Sequence, residues 1–151
     1  MTLAAGEPAP DFTLDDHLGR AWRLADALAR GPIVLFFYPK DDTPVCTVEV
    51  CAFRDQHEVF LGRGAQVVGV SSDGVASHKS FAGRHDLPYT LLADPGGRVR
   101  ALYGVKKTLG FFDGRVTFVI NRNGRVAHVH TSALNAKSHV VAALAALERL
   151  G

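Results

Sequence analysis

The feature that most constrains this chain is a strand that has to stop abruptly and hand over to a helix. Residues 33–38 are an unbroken apolar run, with Gly31-Pro32 before it and Pro39 behind it. A short run of β-branched and aromatic residues reads as a buried strand. Proline has no N–H for a sheet ladder, so Pro39 closes it. Helix signals follow: Thr43 is a good N-cap, Pro44 suits the first helical position, and an amphipathic segment continues through Phe53 and Val59 to Leu61. Gly62 to Gly64 stop that helix, and residues 66–70 form a second apolar strand. A strand, crossover helix and strand in this order make a right-handed unit with parallel strands.

The only two cysteines, Cys46 and Cys51, fall in this helix. Counted from Pro44, Cys46 is the third helical residue, beside backbone N–H groups that have no intrahelical partner. Those donors and the positive end of the helix dipole favour a thiolate. A free cysteine is often just a small buried hydrophobe. The first turn after a strand-to-helix loop, however, tends to face the open carboxyl edge of the sheet, where ligands bind in α/β folds. Five helical positions put the two Cα atoms roughly 8.7 Å apart and about 140° around the axis, whereas a disulfide needs about 4.4 to 6.8 Å. If Cys51 reacts with Cys46, the first turns of the helix must therefore unwind; otherwise Cys51 is a buried, inert thiol.

The remaining pattern alternates elements of both kinds, which makes the class α/β. Residues 11–24 read as an N-terminal hairpin with Trp22 as a packing residue, and 24–29 as a short helix. A helix over 75–85, a strand over 90–93, the turn Asp94-Pro95-Gly96-Gly97 and a short helix over 99–103 follow. Strands 116–120 and 126–130 flank Asn123-Gly124, a good hairpin signal. A final helix over 136–150 places Val140, Val141, Leu144 and Leu147 on one face, for the core or for a dimer interface. At 151 residues, residues 1–151 are expected to form a single domain. A net charge of +2 with scattered basic residues gives no support for nucleic acid. No stretch approaches about 20 apolar residues, so no membrane span is expected. The N-terminus lacks a basic region followed by an apolar core, and two cysteines in a medium-sized chain suit redox or metal chemistry in a reducing compartment. The expected location is cytoplasmic.

Pro39, Thr43 and Cys46 form P-x-x-x-T-x-x-C, within a longer run of Phe37, Tyr38, Pro39, Lys40, Asp41, Asp42, Thr43 and Pro44 followed by Cys46, Thr47, Glu49 and Cys51. This resembles the active-site motif of the peroxiredoxins, in particular the bacterioferritin comigratory protein or peroxiredoxin Q subfamily. The resemblance implies a thioredoxin-like fold in its peroxiredoxin form, with a central mixed sheet, helices on both faces and an N-terminal hairpin. It implies a thiol peroxidase for hydrogen peroxide and alkyl hydroperoxides. Cys46 would be the peroxidatic cysteine, Cys51 the resolving one, and thioredoxin or a related dithiol the reductant. Monomers are common in that subfamily, and no metal, haem, flavin or nicotinamide is required.

The same resemblance assigns further residues. Strand 116–120 would run antiparallel to strand 33–38, bringing Arg115 near Cys46 to favour the thiolate and to hydrogen-bond a peroxide oxygen. The Thr43 hydroxyl would cap the helix and also hydrogen-bond the peroxide and the sulfur. Glu49, three residues past Cys46, either orients Arg115 or is an ordinary first-turn acid favoured by the dipole. Tyr38 and Pro39 belong to the motif. Val45 stands where the subfamily usually has glycine and would narrow the mouth of the site or alter its loop. The segment 106–113, with Phe111 and Phe112, would form an apolar wall near the thiol.

Two other function classes stay open. A thioredoxin-like disulfide oxidoreductase would normally carry C-x-x-C, and a non-catalytic redox sensor would form the same disulfide without turnover. Among the seven histidines, His57 lies roughly 16 Å from Cys46 along one helix, too far to share an ion. His128 and His130 share a strand face without a third ligand nearby in sequence. Neither G-x-G-x-x-G nor a Walker motif occurs.

Overall fold

The strand and helix around Pro39 lie at the centre of the molecule. A computed structural model describes residues 2–106 and 114–150. The elements are β1 (Thr13–Asp16), β2 (Ala21–Arg23), α1 (Leu24–Leu28), β3 (Ile33–Phe37), α2 (Pro44–Asp55), α3 (His57–Gly62), β4 (Gln66–Ser71), α4 (Val75–Arg84), β5 (Thr90–Ala93), α5 (Arg98–Leu102), β6 (Val116–Ile120), β7 (Val126–Thr131) and α6 (Ala136–Leu150). One seven-stranded sheet has the order β2-β1-β5-β4-β3-β6-β7. β3 pairs parallel with β4 and antiparallel with β6, so the sheet is mixed.

β3 is buried along its whole length because both sheet faces are covered. Val34, Phe36 and Tyr38 point into a cluster closed by Val50 and Phe53 of α2, Phe81 of α4 and Val140 and Leu147 of α6. Ile33, Leu35 and Phe37 point the other way, against Leu24 of α1, Val99 of α5 and the hairpin residues Phe12 and Leu14. The two-residue alternation of a strand thus serves two cores at once. Trp22 is a packing residue, its ring 5.7 Å from that of Phe12.

Two helix readings are corrected. The helix expected to run unbroken to Leu61 divides at Gln56, whose backbone leaves helical geometry (φ −104°, ψ 10°). Across this break the ring centroids of Phe53 and Phe60 lie 5.7 Å apart. Phe60 is buried, while Val59 and Leu61, expected on the apolar face, are exposed. On α6 the buried face is Ala136, His139, Val140, Ala143, Ala146 and Leu147, and Val141 is 68% exposed. Three of the six residues on that face are alanines, and Val141, next to the buried Val140, lies off it. No helix among the described residues is long and apolar enough to cross a membrane.

Gly69 of β4 shows how tightly the central strands pack. A Cβ there would lie 2.7 Å from the Phe36 ring and 2.9 Å from the Leu91 side chain. Gly69→Ala is therefore expected to cost about 1–3 kcal/mol through overpacking, seen as a lower urea midpoint at an unchanged m-value. An unchanged midpoint would show that the core has slack there.

Candidate active site

At the carboxyl edge of β3 the chain is held by a buried arginine the sequence reading missed. Arg100 of α5 donates from Nη2 to the Tyr38 carbonyl and from Nη1 to the Gly114 carbonyl, both at 2.7 Å. One guanidinium thus ties the residue before Pro39 to the residue before Arg115. Asp94 holds the arginine's own backbone, accepting from the N–H groups of Val99 and Arg100. Gly114 has no room for a side chain, since a Cβ would overlap the Lys106 carbonyl oxygen.

The loop from Pro39 to Thr43 is braced from beneath. Tyr38 donates from its hydroxyl to Asp41 Oδ1 at 2.6 Å, Ser77 donates to Asp41 Oδ2 at 2.7 Å, and His78 Nδ1 lies 2.8 Å from the same oxygen. The Asp41 N–H donates to Asp73 Oδ2 at 2.8 Å, and His78 Nε2 lies 2.9 Å from the Leu92 carbonyl oxygen. Among the described residues, Asp41, Asp73 and His78 are the group whose potential ligand atoms lie within 4.8 Å of one another. Those atoms are already used in hydrogen bonds to one another and to Ser71, Ser77 and Leu92, which makes the group a brace for the loop.

Thr43 starts α2 with its backbone, since the Thr47 N–H donates to its carbonyl at 2.9 Å. The expected side-chain cap is not made. The hydroxyl donates instead to the Lys40 carbonyl at 2.9 Å. Asp42, at φ +65°, folds the loop so that this carbonyl faces Thr43. The hydroxyl's lone pairs remain available to a further donor.

Cys46 is the third residue of α2 and only 1% exposed. It lies at the carboxyl edge of β3, as read from the sequence, but packed among core residues rather than open. Arg115, one residue before β6, reaches it because Phe37 of β3 pairs with Val116 of β6. Arg115 Nη2 donates to Cys46 Sγ at 3.3 Å, Nη1 to Glu49 Oε1 at 2.6 Å, and Nε to the Ala133 carbonyl at 3.1 Å. A guanidinium is charged at every working pH, so this contact stabilises negative charge on the sulfur.

Glu49 is fully buried and lies in the second turn of α2, with no acid in the first turn. The alternative of a dipole-favoured first-turn acid is therefore overturned, and Glu49 is the partner of Arg115. Burial pushes its carboxyl up to about 8, against the opposing pull of Arg115. Cys51 is half-buried, in the same unbroken helix as Cys46, and both thiols are free. Burial raises the Cys51 pKa. Tyr89 anchors the helix between the two cysteines by donating to the Val50 carbonyl at 2.6 Å. Val45 lines a shallow trough of about 310 Å³ with Pro44, Val48, Leu134 and Ala136. Pro39 is half-buried at the loop's start. The expected wall of Phe111 and Phe112 lies outside the described residues.

The AhpC/TSA family model matches residues 5–129. The chain belongs to the AhpC/TSA family. Chloroplastic peroxiredoxin Q of Oryza sativa subsp. japonica is 43% identical over 149 residues, covering 98% of this chain and 68% of that protein. The peroxidoxin BcpB of Mycobacterium tuberculosis superposes with a TM-score of 0.92 at 39% identity, over 99% of both chains. The Xanthomonas campestris bacterioferritin comigratory protein, which has alkyl peroxide reduction activity, superposes with a TM-score of 0.86 at 29% identity, over 97% of this chain and 98% of that one. This peroxiredoxin is a thiol peroxidase on the thioredoxin-like fold, as the motif around Cys46 implied.

Two predictions follow from the geometry around Arg115. Arg100→Met leaves two buried carbonyls without this donor, at about 1–3 kcal/mol each, and loosens both the Pro39 loop and Arg115. Denaturant unfolding and the rate of thiol oxidation by peroxide should both deteriorate; wild-type values for both would show that the clamp is idle. Because the folded Glu49 pKa is about 8 against an ordinary 4.5, its contribution to stability is fully present below 4.5 and is lost as pH rises through 8. The unfolding free energy of the wild type, referred to that of Glu49→Gln, should fall across that window, and a flat difference would contradict the burial argument.

Proposed function

We propose that Cys46 is the peroxidatic thiol of an enzyme that reduces hydrogen peroxide and alkyl hydroperoxides, that Cys51 resolves it, and that thioredoxin or a similar dithiol restores both. The observation that carries this reading is the 3.3 Å hydrogen bond from Arg115 to Cys46 Sγ at the start of α2. The alkyl peroxide activity of the Xanthomonas campestris relative supports the substrate class.

The Cys46 thiolate attacks the terminal peroxide oxygen. The O–O bond breaks, sulfur keeps the OH as a sulfenic acid, and the departing alkoxide takes a proton from solvent to leave as alcohol or, for hydrogen peroxide, as water. Arg115 stabilises the sulfur before attack and the negative oxygen afterwards. Thr43, its proton committed to Lys40, accepts the hydrogen of the peroxide O–H. The first turns of α2 then unwind, since an intact helix holds the two Cα atoms roughly 8.7 Å apart. The Cys51 sulfur displaces hydroxide from the sulfenic acid as water, forming the disulfide, and an external dithiol reduces that by exchange while itself becoming a disulfide. No step requires a metal or an organic cofactor. We place the enzyme in the cytoplasm as a monomer, on the reducing environment its thiols need and on the habit of the subfamily.

The test is a titration of the reduced protein with stoichiometric peroxide. Wild type should lose both thiols per peroxide, Cys46→Ser should be inert, and Cys51→Ser should react once and stop at the sulfenic acid. Peroxide removal by Cys46→Ser at the wild-type rate would sink the reading.

A further inference from the structure

The buried surroundings of Glu49 extend beyond Arg115 to the last helix. Among the described residues, Glu49 Oε2 is the one buried side-chain polar atom with no hydrogen-bond partner. Its neighbour on α6 is His139, fully buried, with Nδ1 3.7 Å from Oε2. The His139 tautomer follows from its other contacts. Nε2 lies 2.9 Å from the Ser132 carbonyl oxygen, which only accepts, so Nε2 carries the proton. Nδ1 then presents its lone pair, which receives the Thr117 hydroxyl at 2.8 Å. A carboxylate at Glu49 would set an unpaired, negatively charged oxygen against that lone pair in a fully buried site. A carboxylic acid would instead turn its O–H toward Nδ1, the Thr117 hydroxyl rotating away to free that single lone pair, while Oε1 still accepts from Arg115.

We propose that Glu49 works as a neutral carboxylic acid, that His139 is the positioning residue that selects this form, and that Arg115 is thereby oriented without losing its charge to Glu49. The consequence is electrostatic. A carboxylate 2.6 Å from the guanidinium would neutralise it, whereas an acid group holds it in place and leaves its charge for the sulfur and for the alkoxide formed on attack. The groups facing Glu49 agree with this. Cys46 on its own helix is a source of negative charge that opposes a second anion, Tyr89 before β5 is a neutral phenol because burial raises its pKa, Arg115 before β6 is the cation among them, and His130 of β7 sits edge-on behind His139 at 4.8 Å. Burial moves Glu49 up to about 8 and His139 down to about 4, so both are neutral at pH 7.

This inference rests on the peroxidase reading, and its test separates the two. The second-order rate of Cys46 oxidation by hydrogen peroxide is measured from about pH 6 to 10, with infrared spectra of the reduced proteins and imidazole nitrogen shifts of His139. The wild-type rate should fall above about pH 8, where the carboxylate forms and claims Arg115. Glu49→Gln, which mimics the neutral acid, should lower the pH 7 rate by no more than about fivefold and lack the alkaline fall, whereas Glu49→Ala should lose about 100-fold. His139→Leu removes the acceptor and should move the fall to lower pH by about one unit in wild type, and have no effect on the profile of Glu49→Gln. At pH 7 the wild type should show a protonated carboxyl band absent from Glu49→Gln, with His139 as the neutral Nε2–H tautomer. A carboxylate at Glu49, an imidazolium at residue 139, or a loss of about 100-fold in a folded Glu49→Gln would each overturn the proposal. A wild type that consumes no peroxide would instead defeat the peroxidase reading, while the spectra still report the form of Glu49.

Discussion

The buried guanidinium of Arg115 joins three parts of the chain that are far apart in sequence: the first turns of α2 through Cys46 and Glu49, the sheet through β6, and the segment before α6 through the Ala133 carbonyl. A buried arginine is tolerable only when its donors are used, and each of these contacts answers that need. The antiparallel pairing of β3 and β6 is what makes the junction possible, because it sets the beginning of one strand beside the end of the other. Arg100 holds the same two strand ends from the opposite side of the junction, through the carbonyls of Tyr38 and Gly114. The reactive sulfur is therefore placed by two arginines, one that touches it and one that fixes the backbone on either side.

Helix α2 carries opposing demands. It must be helical to hold Cys46 against Arg115, and under the proposed resolution by Cys51 its first turns must open. The anchors are distributed accordingly. Val50 and Phe53 are fully buried, and Tyr89 holds the Val50 carbonyl, so the half bearing Cys51 is rooted in the core. The N-terminal half has a different attachment: Val45 and Thr47 are half-exposed, Pro44 and Val48 are exposed, and much of the hold comes from the Arg115 contacts with Cys46 and Glu49. Oxidation changes the sulfur that Arg115 grips, which couples the chemical step to the stability of that end.

Short-range rules carried most of the architecture. The run at 33–38, its proline stop, the Thr43-Pro44 helix start and the Asn123-Gly124 hairpin were legible because each depends on neighbours within a few residues. Errors arose where a distant surface chose between local options. The helix after Asp55 bends to bury Phe60 rather than Val59 and Leu61, and α6 rolls until alanines face the sheet and Val141 faces out. Periodicity records that a helix has an apolar side, but the shape of the surface opposite decides which residues lie at its centre.

Of the reactive centre, the sequence alone determined two cysteines too far apart on one helix to meet without unwinding and a threonine and a proline at fixed spacing from the first, while the place of Arg115 beside Cys46 came from the family resemblance and is realised in the pairing of β3 with β6. Only the tertiary structure decided which long-range polar groups surround that centre. Arg100, the Asp41 and His78 brace, and His139 behind Glu49 carry no local signal, since an arginine in a short helix or a histidine in an amphipathic one reads as a surface residue. Their roles come from burial, which removes water as a partner and forces each polar atom to find another in the protein. That requirement exists only once the sheet and its helices have closed over them.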